Sequence, residues 1–141
     1  MKILAVDLGK ARTGLAICDE SELLATPLTV ITEHNRERLC QKICDIAAAE
    51  RAKLLVLGLP RNMDGSEGNS AQSAREFGKL LEEQSQLPVV FHDERGTTIT
   101  AHNYLNETDT RGKKRKAVVD AVAATIILQN HLDFRRNQEN R

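Results

Sequence analysis

Aromatic residues make up only 3% of this chain and tryptophan is absent. A surface that grips single strands by stacking bases on successive rings is therefore disfavoured, and nucleic-acid recognition, if present, has to work through backbone and shape. An excess of one charge is missing too: Lys+Arg 20 are matched by Asp+Glu 20, and the formal net charge is zero. No global field draws a polyanion in, so such binding must come from a local patch. No hydrophobic run approaches a bilayer span, and the apolar stretch Ile3 to Val6 is too short for a signal-peptide core and meets an acid at Asp7. The expectation is a soluble, cytoplasmic protein with no membrane partner. Three cysteines, Cys18, Cys40 and Cys44, form neither a disulfide framework nor a paired zinc spacing, which fits a reducing compartment. His34, His92, His102 and His131 likewise lack a metal-binding spacing, although His92 lies nearest the acids discussed below.

What is present is an ordinary globular composition, 40% hydrophobic and 28% charged, without low-complexity segments or internal repeats. With 141 residues, one domain spanning 1–141 is expected. Lys2 to Asp7 reads as a buried strand that breaks at Gly9, and Arg12 to Cys18 as its hairpin partner. A third strand is expected around Thr29 to Thr32, after Pro27. Leu39, Ile43, Ile46 and Ala47 recur at helical spacing, predicting a helix from about Asn35 to Glu50. Lys53 to Leu59, apolar on both faces, reads as a central parallel strand. Ser70 opens a second helix through Leu81, and Pro88 a fifth strand, Val89 to Phe91. Thr97 or Thr98 would cap a short helix ending near Leu105. Asn106 to Lys116 reads as a polar, basic loop, and Ala117 to Phe134 as the last helix. The sum is an α/β fold with a five-stranded mixed sheet in the order 3-2-1-4-5, flanked by helices.

In such sheets ligands gather at the carboxyl ends of the parallel strands. Asp7 follows Ile3-Leu4-Ala5-Val6, and Asp93-Glu94 follow Val89-Val90-Phe91, so both acids fall at one sheet edge, about 10 Å apart at the backbone if the fourth strand intervenes. Asp120 interrupts an apolar, small-residue stretch, where an isolated carboxylate is costly to bury and needs a partner. Singly, each acid has an ordinary explanation: Asp7 caps the hairpin turn, Glu94 pairs with Arg95, and Asp120 caps a helix starting at Ala121. Jointly they suit one or two hard cations, Mg²⁺ or Mn²⁺, and phosphodiester hydrolysis.

Shortly before Asp120 lies a dense basic run, Arg111, Gly112, Lys113, Lys114, Arg115 and Lys116, in a chain otherwise balanced in charge. Beside an acidic site it suggests contact with a phosphate backbone, though charged loops are often simply solvated. Arg12, Arg61 and Arg95 would add phosphate contacts.

These residues fall into four blocks: Asp7-Leu8-Gly9 with Arg12-Thr13-Gly14; Val56 to Pro60 with Asn62-Met63-Asp64-Gly65; Asp93-Glu94-Arg95; and Lys116 with Asp120-Ala121 and Ala123-Ala124. In that order the chain resembles, over nearly its whole length, the YqgF or RuvX family in the RuvC-like branch of the ribonuclease H-like superfamily. The resemblance implies a metal-dependent nuclease that processes the 5′ end of precursor 16S ribosomal RNA, or alternatively a resolvase of four-way DNA junctions. It also implies that Asp7, Glu94 and Asp120 are the catalytic, metal-holding acids, and that Asn62 to Gly65 and Arg95 line the substrate path. Gly96 departs from the pattern, where the family carries a bulky aliphatic residue before Thr97-Thr98; a glycine there loosens the backbone beside Glu94.

Two other classes compete. Asp7-Leu8-Gly9 through Gly14 also resembles the first phosphate loop of the actin and sugar-kinase group, but that group closes two domains around its nucleotide and a second phosphate loop is absent here. A catalytically silent RNA-binding or ribosome-assembly module would use the basic run without needing three acids. A monomer or a weak homodimer fits the nuclease readings, a junction resolvase needing paired sites.

Overall fold

The computed structural model describes residues 1–62, 64–94 and 113–139; within the last stretch, the side chains of residues 113–118, 120 and 139 lie outside that description. Strands β1 (Ile3–Leu8) and β2 (Arg12–Cys18) pair antiparallel, with Asp7 opposite Gly14. The turn between them is tight enough to demand a residue without a side chain: a Cβ on Gly9 would sit 2.1 Å from the carbonyl oxygen of Arg12. Strand β3 (Ala25–Thr32) follows, then α1 (Arg36–Ala49), β4 (Leu54–Leu59), α2 (Asn69–Ser85), β5 (Val89–Asp93) and α3 (Lys113–Glu139). The sheet order is β3-β2-β1-β4-β5, as expected, with β4 parallel to both β1 and β5.

Several boundaries differ from the sequence expectation: α2 runs on to Ser85 and β5 to Asp93, and three further differences have a physical reason. Strand β3 begins at Ala25, four residues before Thr29, and takes Pro27 into the ladder opposite Ala16. An edge strand tolerates the missing N–H, and the register slips between Leu15 and Ala16 at the same place. Helix α3 begins at Lys113, so Lys113, Lys114, Arg115 and Lys116 form its first turn and not the end of a loop. Lysine and arginine are good helix formers, and no glycine or proline follows Gly112, so nothing local delays the start. The same helix runs beyond Phe134 to Glu139, where Arg135 pairs with Glu22 at 2.7 Å. The expected helix from Thr97 or Thr98 to Leu105 and the loop from Asn106 to Gly112 lie outside the described residues.

Strand alternation sorts the apolar side chains into two cores. Leu4, Val6, Leu55 and Leu57 pack beneath α1 and α2 with Leu39, Ile43, Phe77 and Leu81. Ile3, Ala5, Leu54 and Val56 face α3, against Ala124, Ile127, Leu128 and Leu132. Cys18 and Cys40 are buried, and burial pushes the Cys40 thiol up to about 12, so these are core residues in their inert form. Among the described residues no helix is long and apolar enough to cross a membrane.

One polar group sits in the α3 core at some expense. His131 is buried, its ring centroid 6.1 Å from that of His92, and its Nε2 has no hydrogen-bond partner among the described residues. Burial, then His92 and Arg135, depress its pKa to about 4, against an opposing pull from Glu22. The unfolded chain therefore binds a proton near pH 6.5 that the folded protein refuses, and stability is full above that pH and falls as pH drops toward 4. His131→Leu is expected to remove up to about 3 kcal/mol of this acid sensitivity. Urea unfolding at pH 7 and pH 4.5 checks it; an unchanged difference between the two pH values would contradict the assignment.

Candidate active site

The parity that places Ile3 and Ala5 under α3 places Asp7 on the same side, and likewise Gly58 after Leu54 and Val56 on β4. On β5, Val90 packs with the α3 core, so His92 and Glu94 project to that side as well. The backbone N–H of Glu94 donates to the Leu59 carbonyl at 3.2 Å, which extends the β4–β5 ladder by one residue and holds Glu94 at the sheet edge.

Asp7 and Glu94 come together across β4. Their strands are two steps apart, and the residue between them, Gly58, has no side chain to block the way. A Cβ at Gly58 would lie 2.7 Å from Oε2 of Glu94 and 2.8 Å from Cδ1 of Ile127 on α3. Glu94 thus lies over the backbone of β4 and hydrogen-bonds Asp7 side chain to side chain. Burial first, then the Asp7 charge, their hydrogen bond and the Asp93 charge push the Glu94 carboxyl up to about 9. At neutral pH Glu94 therefore keeps the proton and donates it to the Asp7 carboxylate.

The third expected acid, Asp120, lies on α3 between buried Val119 and buried Ala123, seven residues or about two turns before Ile127. The helix that covers Gly58 is thus the one that carries Asp120; its side chain is outside the described atoms. Among the described residues no group of three His, Cys, Asp or Glu side chains is gathered for a metal. The donor set that is described nevertheless fits a hard divalent cation: two carboxylates forced together, one kept protonated by burial and by the other's charge, supply oxygen ligands that a cation would relieve of mutual repulsion.

The expected phosphate contacts lie in different settings. Arg61 is bracketed by Glu67 at 3.6 Å and Asp93 at 3.8 Å, and Glu67 is also bound by Arg75 at 2.7 Å. Its charge is already balanced by protein carboxylates, and through Asp93 it braces the residue next to Glu94. Asn62 donates from its side chain to Ser66 Oγ at 2.9 Å, shaping the turn before α2. Arg12 starts β2 beside the Gly9 turn. Lys113, Lys114, Arg115 and Lys116 lie on α3 ahead of Asp120, Lys116 one turn before it. Arg95, Gly96 and Arg111 lie outside the described residues. Sequence reasoning overlooked Gly58; its signal was a glycine at the end of an otherwise aliphatic run, Leu54 to Leu59, where a side chain must be absent for something to pass.

A mixed sheet of this order, covered by a long final helix, places the chain in the ribonuclease H-like fold class. Its family can be named as well. Residues 1–134 match the family described as RuvX, Holliday junction resolvase, and the chain belongs to that family. It is 43% identical over 133 residues to a protein of Clostridium botulinum named "Putative pre-16S rRNA nuclease", covering 94% of this chain and 97% of that one. A protein of the same name from Paracoccus denitrificans is 45% identical over 131 residues, covering 93% and 83% respectively. Among solved structures, Thermus thermophilus RuvC in complex with a Holliday junction superposes with a TM-score of 0.62 at 15% identity, covering 97% of this chain and 96% of that chain. The fowlpox virus resolvase bound to Holliday junction DNA gives 0.60 at 10% identity, covering 95% and 98%. At those identities the two structures speak for the fold.

Proposed function

We propose that this chain hydrolyses phosphodiester bonds at Asp7, Glu94 and Asp120, and that its substrate is the 5′ end of precursor 16S ribosomal RNA. The observation that carries the reading is the buried carboxyl pair over Gly58, in a member of a nuclease family. Asp7 and Glu94, with Asp120, would hold Mg²⁺ or Mn²⁺; such an ion, when bound, supplies Lewis acidity toward the phosphodiester oxygens. The chain's own residues do the rest. Glu94 would give up its proton on taking up the ion. Gly58 lets the two approach, while Ile127 closes the apolar side of the pair. Lys113, Lys114, Arg115 and Lys116 supply the local positive charge that a chain of zero net charge otherwise lacks, and they would take the phosphate backbone together with Arg12, Asn62, Arg95 and Arg111.

Ribosomal RNA is favoured over a four-way junction because the relatives at 43% and 45% identity carry the RNA name, whereas the junction-bound structures share only 15% and 10%. The test is incubation of the protein with precursor 16S RNA and with a synthetic four-way DNA junction, side by side, in Mg²⁺, in Mn²⁺ and in chelator. Metal-dependent shortening of the RNA with the junction intact is expected. Junction resolution with untouched RNA would reverse the substrate, and cleavage of neither would remove the nuclease reading.

A further inference from the structure

Asp7 faces α3, and the next residue, Leu8, faces the other side of the sheet. There the β1–β2 turn opens onto a cleft of about 280 Å³ shared with α1 and α2. Lys10 and Arg36 both line it, and neither has an ion-pair partner among the described residues. Asn69, Ser70 and Ser73 line it from α2, adding neutral hydrogen-bonding groups, and no acidic side chain among the described residues borders it. The first turn of α2 contains no acid either, and its N-cap, Gly68, makes no side-chain capping bond. Two cations without a carboxylate partner among the described residues, Arg36 lying also over the Phe77 ring at 5.5 Å, thus border one concavity with three neutral polar side chains and the uncapped start of α2. The volume lies just under the roughly 300–1,000 Å³ of small-molecule pockets, which suits a phosphodiester with its sugar better than a whole nucleotide.

The position of the cleft gives that phosphate a source. Leu8 lines the cleft and Asp7 belongs to the acid pair, so the two places lie on opposite sides of one strand tip. A strand laid across the carboxyl edge of the sheet, with one phosphate at the acids, would pass over the Gly9–Lys10 turn toward the start of α2. We infer that the Lys10–Arg36–Ser70 cleft holds a backbone phosphate of the substrate strand, flanking the one that is cleaved. This inference rests on the nuclease reading for the identity of the strand, but its test reads binding and not cleavage.

Two variants provide the test, with labelled precursor 16S RNA and a labelled four-way DNA junction as probes and fluorescence anisotropy as the readout. Lys10→Glu combined with Arg36→Glu is expected to weaken binding of the RNA at least about tenfold and to lower the slope of log K against log salt by about one, since each lost phosphate contact on a single strand removes roughly 0.7. Ser70→Asp guards against a trivial loss of folding. A carboxylate in the first turn of α2 favours the helix, so its melting temperature should hold or rise while affinity falls several-fold. A merely structural role for Ser70 would not move the two quantities in opposite directions. Unchanged affinity and salt slope in both variants, alongside cleavage by the parent, would overturn the cleft and leave the nuclease standing. Weakened binding by the variants of a parent that binds but never cleaves would keep the cleft and discard the nuclease. If the junction and not the RNA shows the charge-dependent loss, the cleft is upheld and the strand it holds is DNA.

Discussion

Replacing Asp7 by asparagine is expected to abolish metal-dependent cleavage and, in chelator at neutral pH, to make the protein more stable. The loss of activity follows from the proposed role: a metal-held phosphoryl group draws several kcal/mol of charge stabilisation from its site, and about 3 kcal/mol is already more than a hundredfold in rate. The gain in stability follows from the geometry described. Burial and the Asp7 charge raise Glu94 in the folded state far above its usual 4.5, to about 9. The folded protein then binds a proton that the unfolded chain has released, and its stability declines as pH rises from about 4.5 toward 9. An asparagine at position 7 removes the charge facing Glu94, brings its pKa down and flattens that decline. Melting curves in chelator between pH 5 and pH 9 should converge at the acid end and separate at the alkaline end, with Asp7→Asn higher. Saturating Mg²⁺ or Mn²⁺ should raise the parent most at alkaline pH, where the proton on Glu94 competes least with the ion, and the variant little, because it lacks the Asp7 carboxylate. Melting temperatures that fall in the variant across the whole range would mean that Asp7 is a structural partner of Glu94 and not its competitor.

How much of this was legible beforehand depends on whether a feature is written in side-chain period or in tertiary contact. The sheet order followed from period: alternation along Lys2 to Cys18 fixed a hairpin, and the unbroken run to Leu59 required a strand covered on both faces. The start of β3 was not legible, since Pro27 argues against a strand unless the ladder is known to be an edge with an irregular register there. The start of α3 was misplaced for a different reason. Four consecutive cations look like a solvated loop, but helix propensity makes no objection to them, and a helix already anchored in the core by Ala123, Ala124 and Ile127 continues backward until something stops it. That change brings Lys113 to Lys116 into fixed backbone order with Asp120.

For the site, acid type and strand-end position located Asp7 and Glu94, because a carboxylate directly after an aliphatic run has few other places to go. Their direct contact was hidden. The backbone distance of about 10 Å over two strand steps suggests side chains flanking a cation, and only the missing side chain at Gly58 shows how Glu94 reaches across. Arg61 was legible as a basic residue near the acids, but its engagement by Glu67 and Asp93 depends on the turn from Asn62 to Gly68, whose hydrogen bonds are tertiary facts. Lys10, Arg36 and Ser70 come from three separate segments, and nothing in their spacing announces a common cleft.

Gly58→Ala separates the fold from the chemistry at one atom. The added methyl meets Glu94 Oε2 at 2.7 Å and Ile127 Cδ1 at 2.8 Å, both far ends of flexible side chains, so the backbone need not move. Alanine in place of a strand glycine also recovers roughly 0.5–1 kcal/mol of backbone entropy, against an overpacking cost of about 1–3 kcal/mol. The expected change in stability is therefore modest, a loss of about 1 kcal/mol. The expected change in activity is large, because the carboxylate that gives way is the one facing Asp7, and a misplacement of about 1 Å at a reacting centre costs on the order of a hundredfold. Combining Gly58→Ala with Ile127→Val tells the two effects apart. Valine lacks Cδ1, so the second contact disappears and melting temperature should recover, while the first contact persists and cleavage of precursor 16S RNA should stay low. Recovery of activity together with stability would mean that Gly58 serves the packing of α3 alone. Full activity in the single variant would mean that Glu94 has no part in the reaction, leaving Asp7 and Asp120 to be explained without it.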